Sequence, residues 1–276
     1  MIPPLARRFV AGESAAAAIE YTRGVNSSGV GVILNLLGEH YDDRAEADAD
    51  TEAYIRLLED LAGTDLRARV SVKPSQLGLD LGPGVFDSNL ARILDRAAAA
   101  DRFVWVDMEG PDTIEPTLDV VHRQARRNSK LGVAIQANMK RTGSDLERLA
   151  GTSVAVRLVK GAYDPPAEAG YREKSAVDRA YREHLEYLFE HFDGGIAVGS
   201  HDPAMIDLAA DLHQDYGTPY EIQMLMGVRE DAQRQLAADR PVWRYVPYGD
   251  QWLSYFYRRV AERRENLLFA LRALVS

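Results

Sequence analysis

The run Val154-Ala155-Val156-Arg157-Leu158-Val159-Lys160-Gly161 decides the fold, because it is short, rich in β-branched residues and apolar at nearly every position. A strand whose two faces alternate between core and water would show every second residue polar; a nearly continuous apolar run instead marks a strand covered on both faces, as in parallel sheets. Seven further runs of the same kind lie at Gly31 to Leu37, Ala68 to Val72, Phe103 to Val106, Val133 to Ala137, Ile196 to Gly199, Tyr220 to Leu225 and Val242 to Pro247. The second is the weakest, since Arg69 interrupts it. Between the runs apolar residues recur at helical spacing: Tyr54, Leu57, Leu58, Leu61; Leu90, Ile93, Leu94, Ala97; Leu185, Leu188, Phe189, Phe192; Met205, Leu208, Ala209, Leu212. Eight alternating strand and helix units in 276 residues predict an α/β chain closed into a (β/α)8 barrel. An open, doubly wound sheet is the alternative.

Start signals agree with this phasing. Ser144 with Glu147 has the spacing of a capping box, and Asp202 before Pro203 places an N-cap residue ahead of a proline at the first helical position. Residues 1 to about 28 read as a helical lead-in and Gln251 to Val275 as a long final helix. No linker and no change of composition divides the chain, so residues 1–276 are expected to form a single domain. With 46% apolar and 27% charged residues the composition is that of a globular protein, which excludes a disordered or fibrous chain. No apolar run approaches the ~18 residues that span a bilayer. Arg7-Arg8 has the look of a twin-arginine signal, but Glu13, Ser14 and Glu20 interrupt any hydrophobic segment after it, so a cytoplasmic protein is expected.

The absence of cysteine removes disulfides, thiolate metal sites, iron-sulfur clusters and a cysteine nucleophile together. A formal charge of -9 argues against nucleic acid as a partner. No HExxH, P-loop or GxGxxG is present, so zinc protease, P-loop and Rossmann dinucleotide chemistry are not indicated. His40 beside Glu39 and Asp42 could be read as a metal site, but Gly38-Glu39-His40-Tyr41-Asp42-Asp43 leading into a helix reads better as loop and cap; no metal is expected.

In a barrel of this kind the active site lies at the C-terminal ends of the strands. There the sequence places Lys73, Asp107 and Glu109, Gln136 and Asn138, Arg157 and Lys160, Ser200-His201-Asp202, and Gln223. Three of the chain's five lysines, Lys73, Lys140 and Lys160, fall at or just past such ends. A strand-end lysine can also be a solvated loop residue, and His201 can be part of a helix cap. Arg157 is different, because burying an unpaired guanidinium costs several kcal/mol; it needs an acceptor inside the barrel mouth. Asp107 can be a reactant or the structural partner of a basic neighbour. In the last segment Arg258 and Glu262 form an i, i+4 pair, either a solvated ion-paired face or, if the helix folds over the mouth, part of a guanidinium clamp for a carboxylate. Tyr245, Tyr248, Trp252 and Tyr255 read as core or rim packing rather than ligand contacts unless that lid exists.

Taken in order, SVKPSQLGL around Lys73, FVWVDMEG around Asp107, AIQAN around Gln136, VRLVKGAYD from Arg157, GSHD at Ser200, EIQMLMG around Gln223 and YRRVAERREN from Tyr257 resemble the bacterial proline dehydrogenases, from about Phe9 to the C-terminus. The resemblance implies a distorted barrel that holds FAD without a Rossmann domain, oxidises L-proline to Δ1-pyrroline-5-carboxylate by hydride transfer to flavin N5, and passes electrons to a quinone. By motif, Asp107 and Arg157 would be active-site residues. Lys73, Arg258 and Arg259 would bind the substrate carboxylate, with Tyr245, Tyr255 and Leu225 around the ring. Met108, Gln136, Lys160, Gly161, Ala162, Tyr163, Ser200, His201 and Gln223 would contact FAD, and Glu262 would hold the arginine pair. Ser200 stands where the family pattern has threonine, which keeps the hydroxyl. The chain carries no aldehyde dehydrogenase module, so the pyrroline-5-carboxylate dehydrogenase would be a separate chain, and a membrane-borne quinone would bring a peripheral membrane contact on the inner face. The rival chemistry is a class I aldolase with Lys160 as the Schiff-base lysine.

Overall fold

The computed structural model describes residue 3, residues 6–162 and residues 165–253. Among them eight strands pair in parallel, each with its neighbours in the chain, and the last with the first: β1 (Gly31–Leu36), β2 (Ala68–Val72), β3 (Val104–Val106), β4 (Leu131–Gln136), β5 (Ala155–Val159), β6 (Ile196–Gly199), β7 (Tyr220–Leu225) and β8 (Val242–Tyr248). The sheet is therefore the expected closed barrel rather than an open one. Strand limits differ from the sequence reading by one or two residues. Leu37 falls just past β1, and β4 starts two residues earlier, because Leu131 is held in the ladder opposite Val104.

The lead-in contributes α1 (Ala15–Asn26), and the units are completed by α2 (Arg44–Leu61), α3 (Pro83–Ala99), α4 (Ile114–Ala125), α5 (Thr142–Leu149), α6 (Lys174–His191), α7 (Pro203–Tyr216) and α8 (Glu230–Leu236). The apolar stripes read from the sequence face the sheet. Tyr54, Leu57, Leu58 and Leu61 of α2 and Leu90, Ile93, Leu94 and Ala97 of α3 are buried in the layer between helices and strands. Each fully buried leucine or isoleucine there contributes about 1.5–3 kcal/mol. The start of α7 is as expected: Pro203 opens the helix and the Asp202 side chain accepts from the Ala204 N–H at 3.1 Å. Asp43 caps α2 in the same way, accepting from Ala45 N–H at 2.8 Å, so the acidic loop before it is indeed a cap. The capping box at Ser144 is not formed. Helix α5 begins earlier, at Thr142, which puts Ser144 inside the first turn, where its hydroxyl donates to the Arg141 carbonyl at 2.7 Å. The expected final helix lies almost wholly outside the described residues, of which Trp252 packs on Ala6, Phe9, Val10 and Leu37.

Inside the barrel, Ile33, Trp105, Ala155, Ala197 and Trp243 form a second, separate apolar cluster that plugs the floor. The two tryptophans are admitted by glycines on the neighbouring strands. A Cβ at Gly132 would sit 2.5 Å from the Trp105 ring, and one at Gly31 would sit 2.4 Å from that of Trp243. Arg69, which weakens the sequence signal of β2, points into this floor. Its guanidinium lies 3.6 Å from the Trp243 ring centroid and pairs with Glu221 of β7 at 2.6 Å. The plug closes the bottom of the barrel and leaves the polar side chains of the strand ends gathered above it.

Candidate active site

Alternation along β2 and the residue after it puts Arg69, Ser71 and Lys73 on one side of the strand, and the barrel turns that side inward. Ser71 meets Arg157 there. The Arg157 side chain is 5% exposed, and its Nη2 donates to Asp107 Oδ1 at 2.7 Å and to Ser71 Oγ at 3.1 Å. Ser71 Oγ itself donates to the same Asp107 oxygen at 2.8 Å, and the Tyr245 hydroxyl donates to Asp107 Oδ2 at 2.6 Å. The acceptor that Arg157 requires is thus Asp107, whose two oxygens are engaged by side chains from β2, β5 and β8. The guanidinium is also flanked by Trp105 and Tyr245, with ring centroids 5.0 and 5.6 Å away. Burial, with the Asp107 charge next in size, raises the Tyr245 hydroxyl well above its ordinary value, so it stays a donor. Gly199 on β6 leaves room for this arrangement, since a Cβ there would lie 3.2 Å from Arg157 Cγ.

Around this cluster the other strand-end residues divide by what holds them. Lys73 Nζ lies 2.5 Å from Glu39 Oε2, and Glu109 accepts from both the N–H and the hydroxyl of Ser75, at 2.8 and 2.7 Å. Burial outweighs those donors and raises the Glu109 carboxyl. Gln136 spends its amide hydrogens on the carbonyls of Met108 and Glu109, at 3.0 and 2.9 Å, which leaves its Oε1 as the group it can offer. Ser200 Oγ accepts from the Asp202 N–H at 3.1 Å, and His201 Nε2 accepts from Leu225 N–H at 3.1 Å, which places the ring proton on Nδ1. His201 is therefore tied to the end of β7 as well as adjoining the cap of α7. Gly161 has φ +113, and a Cβ on it would fall 2.1 Å from Asn138 Oδ1, so glycine is required; Ala162 follows it at the mouth. Lys140 staples a loop, donating to the Ala167 carbonyl at 2.8 Å.

Lys160 is not placed to act as a Schiff-base lysine. Its ammonium bridges Asp178 of α6 at 2.5 Å and Asp202 at 2.7 Å. Burial opposes its charge, but the bonds to the two carboxylates prevail and raise its pKa, which is the wrong direction for a nucleophilic amine. Tyr163, Tyr255, Arg258, Arg259 and Glu262 lie outside the described residues. Among the described residues no group of three or more histidine and carboxylate side chains could hold a metal ion. The sequence reading passed over Ser71, Glu221 and Asp178. The period-2 pattern Arg69, Ser71, Lys73 on β2 and Glu221, Gln223, Leu225 on β7 is the signal that could have found the first two. Asp178 sits on a helix and has no such mark.

The proline dehydrogenase family profile matches residues 18–272. The chain belongs to the proline dehydrogenase family. It is 33% identical over 277 residues to proline dehydrogenase 1 of Bacillus subtilis strain 168, covering 98% of this chain and 91% of that one. With the proline dehydrogenase of Deinococcus radiodurans the identity is 33% over 286 residues, 99% of this chain and 90% of the relative. Among solved structures, proline utilization A from Bdellovibrio bacteriovorus, inactivated by N-propargylglycine, superposes with a TM-score of 0.84 at 23% identity, a likeness of fold. It covers 92% of this chain and 32% of that longer one, so this chain spans about a third of that protein. In this chain the barrel brings Asp107, Arg157 and Tyr245 together from residues far apart in sequence.

Proposed function

We propose that this chain oxidises L-proline to Δ1-pyrroline-5-carboxylate, with FAD held at the C-terminal mouth of a single barrel domain and a quinone as the final electron acceptor. The observation that carries the reading is a buried guanidinium, Arg157, fixed at mid-barrel by Asp107 with its Nε unpaired among the described residues. The donor set suits a flavin ring, whose edge is mostly hydrogen-bond acceptors. Arg157 Nε is a buried donor without a partner among the described residues, Gln136 has both amide hydrogens committed to carbonyls, and Gln223 gives one of its two to Glu221 and keeps an unpaired Oε1. Met108, Lys160, Gly161, Ala162, Ser200 and His201 border the same mouth, and Tyr163 is assigned with them. When bound there, FAD would supply the two-electron acceptor for the substrate's hydride, with the quinone as final oxidant.

The chain's own residues orient the substrate and set the charge around it. Lys73, with Arg258 and Arg259, holds the carboxylate, Tyr245, Tyr255 and Leu225 bound the ring, and Glu262 holds the arginine pair. The Arg157 positive charge favours an electron-rich ring beside it. Asp107 is held by Arg157, Ser71 and Tyr245 as their acceptor, and no other base is assigned to the amine proton, so the substrate is proposed to react as the neutral amine and the rate to climb with pH between about 6 and 9. The product is consumed by a separate pyrroline-5-carboxylate dehydrogenase. Among the described residues no helix is long and apolar enough to cross a membrane, and the proposed location is cytoplasmic, with peripheral contact to a quinone-bearing membrane. The test is an absorbance spectrum of the purified protein before and after anaerobic addition of L-proline. The flavin band should bleach. Colourless protein that takes up no FAD, or a yellow protein whose band proline leaves unchanged, would overturn the reading.

A further inference from the structure

The barrel floor contains a chain of polar contacts that ends at the mouth. Glu221 Oε1 receives Arg69 Nη1 at 2.6 Å and Gln223 Nε2 at 2.7 Å. Arg69 is itself fixed between the rings of Trp243, 3.6 Å away, and Phe103, 5.1 Å away. An ionised carboxylate can only accept, so the nitrogen end of the Gln223 carboxamide must face Glu221 and the oxygen end must face away from it. The two ends of an amide are alike in shape, and only such a network decides between them. Glu221 precedes Gln223 by two residues on a parallel barrel strand, hence on the same inner side and nearer the floor. The oxygen is thereby turned towards the interior above. Gln223 is 4% exposed, and its Oε1 has no partner among the described residues. A buried acceptor without a donor is costly and points to a ligand that supplies one.

We propose that Arg69 and Glu221 are positioning residues that lock the Gln223 carboxamide with its oxygen towards the cofactor, where it accepts a hydrogen bond from a ring N–H. The inference rests on the assignment of FAD to the mouth. The chemistry fits, because the oxidised isoalloxazine ring has one N–H and otherwise presents acceptors along its polar edge. A carboxamide turned the other way would oppose that N–H with its own donors. Arg69 and Glu221 touch neither substrate nor cofactor in this account; they act through Gln223.

The test is a double-mutant cycle on the FAD dissociation constant, read by flavin fluorescence on dilution of the purified full chain. Glu221→Gln frees the amide to turn and should weaken FAD binding roughly five- to tenfold. Gln223→Met removes the acceptor and should weaken it by a similar factor. In the Gln223→Met background, Glu221→Gln should have no further effect, because nothing is left to orient. If Glu221→Gln does not fold, Arg69→Met serves as the second variant. It keeps the bond from Gln223 to Glu221 but removes its clamp, so its loss should be smaller and should likewise vanish in the Gln223→Met background. A yellow wild type in which the losses multiply, or in which Gln223→Met binds FAD as tightly as wild type, overturns this inference alone. A wild type that binds no FAD overturns the functional reading and this inference with it.

Discussion

Replacing Arg157 by methionine tests the central cluster directly. Removing one partner of a buried ion pair costs about 3–5 kcal/mol, because the other charge is left without compensation. Here the cost is moderated in two ways. The Asp107 side chain is 17% exposed and keeps the hydroxyl donors of Ser71 and Tyr245, and methionine refills most of the arginine's volume. Against this, the contacts of the guanidinium with Trp105 and Tyr245 are lost, worth about 0.5–2 kcal/mol together. The net expectation is a loss of about 2–4 kcal/mol, which in a chain of this size lowers the thermal midpoint by roughly 3–7 °C. Urea unfolding of the flavin-stripped protein measures the effect without the cofactor. Changing Asp107 to asparagine in the same chain should recover about half the loss, since the orphaned charge is gone. In the flavin-loaded protein the reduction potential should fall, by roughly 30 mV for each 1.4 kcal/mol of lost stabilisation of the reduced ring. A variant within about 0.5 kcal/mol of wild type, or losses from the two substitutions that simply add, would refute the argument that Asp107 and Arg157 exist in this fold as a pair.

Gly132→Ala places a methyl 2.5 Å from the Trp105 ring and should destabilise the protein by about 1–3 kcal/mol with an altered tryptophan emission; unchanged emission and stability would show that the floor is not packed as described. The Lys160 bridge predicts a pH signature. The Asp202 carboxyl is held below its ordinary range by its bond to Lys160, and that of Asp178 is lowered by Lys160 and Lys174 despite burial. Groups lowered in the folded state stabilise it above their unfolded pKa of about 4, and that contribution is lost as pH falls through the folded values. The stability gap between wild type and Lys160→Met should therefore be steady from about pH 5 to 9, on the order of 1 kcal/mol for a half-buried bridge still screened by solvent, and shrink in urea melts below about pH 4. Borohydride reduction in the presence of a carbonyl compound should leave Lys160 unmodified at pH 8, as peptide mass spectrometry would show, since its raised pKa keeps the amine protonated.

The fold was legible because a parallel strand covered on both faces leaves a simple mark, a short run of β-branched residues, and eight of them recur with helices between. Arg69 illustrates the limit of that mark. An inward charge in a narrow barrel looks like an interruption until its partner is known, and Glu221 lies on the opposite side of the sheet order, five strands on. Arg157 was legible as a residue in need of an acceptor; that the acceptor is Asp107 follows only from closing the barrel, which brings β3 and β5 across β4. Ser71 carries no signal of its own, since a serine in a strand is ordinary. The Ser144 capping box failed for a local reason: the chain turns into α5 three residues early, and one hydroxyl can serve either the N–H groups of a helix start or the carbonyl behind it.

The two charged layers of the barrel interior have different surroundings. At the floor, Arg69 and Glu221 have their charges opposed and the guanidinium covered by aromatic rings, so they stand where little else is asked of them than to fill space and hold direction. At the mouth, Arg157 and Asp107 are paired as well, yet Arg157 keeps an unused Nε. A pair selected only for stability gains nothing from an unmatched buried donor, and replacement by apolar residues of the same volume would commonly do better. On the proposed function the same guanidinium has an electronic use: it is a fixed positive charge, held in orientation by Asp107, Ser71 and two rings. On that proposal stability and catalysis pull against each other at Arg157. A doubly apolar replacement at positions 107 and 157 should cost less stability than Arg157→Met alone while losing turnover, and a double variant that kept its activity would show that the charge was structural after all.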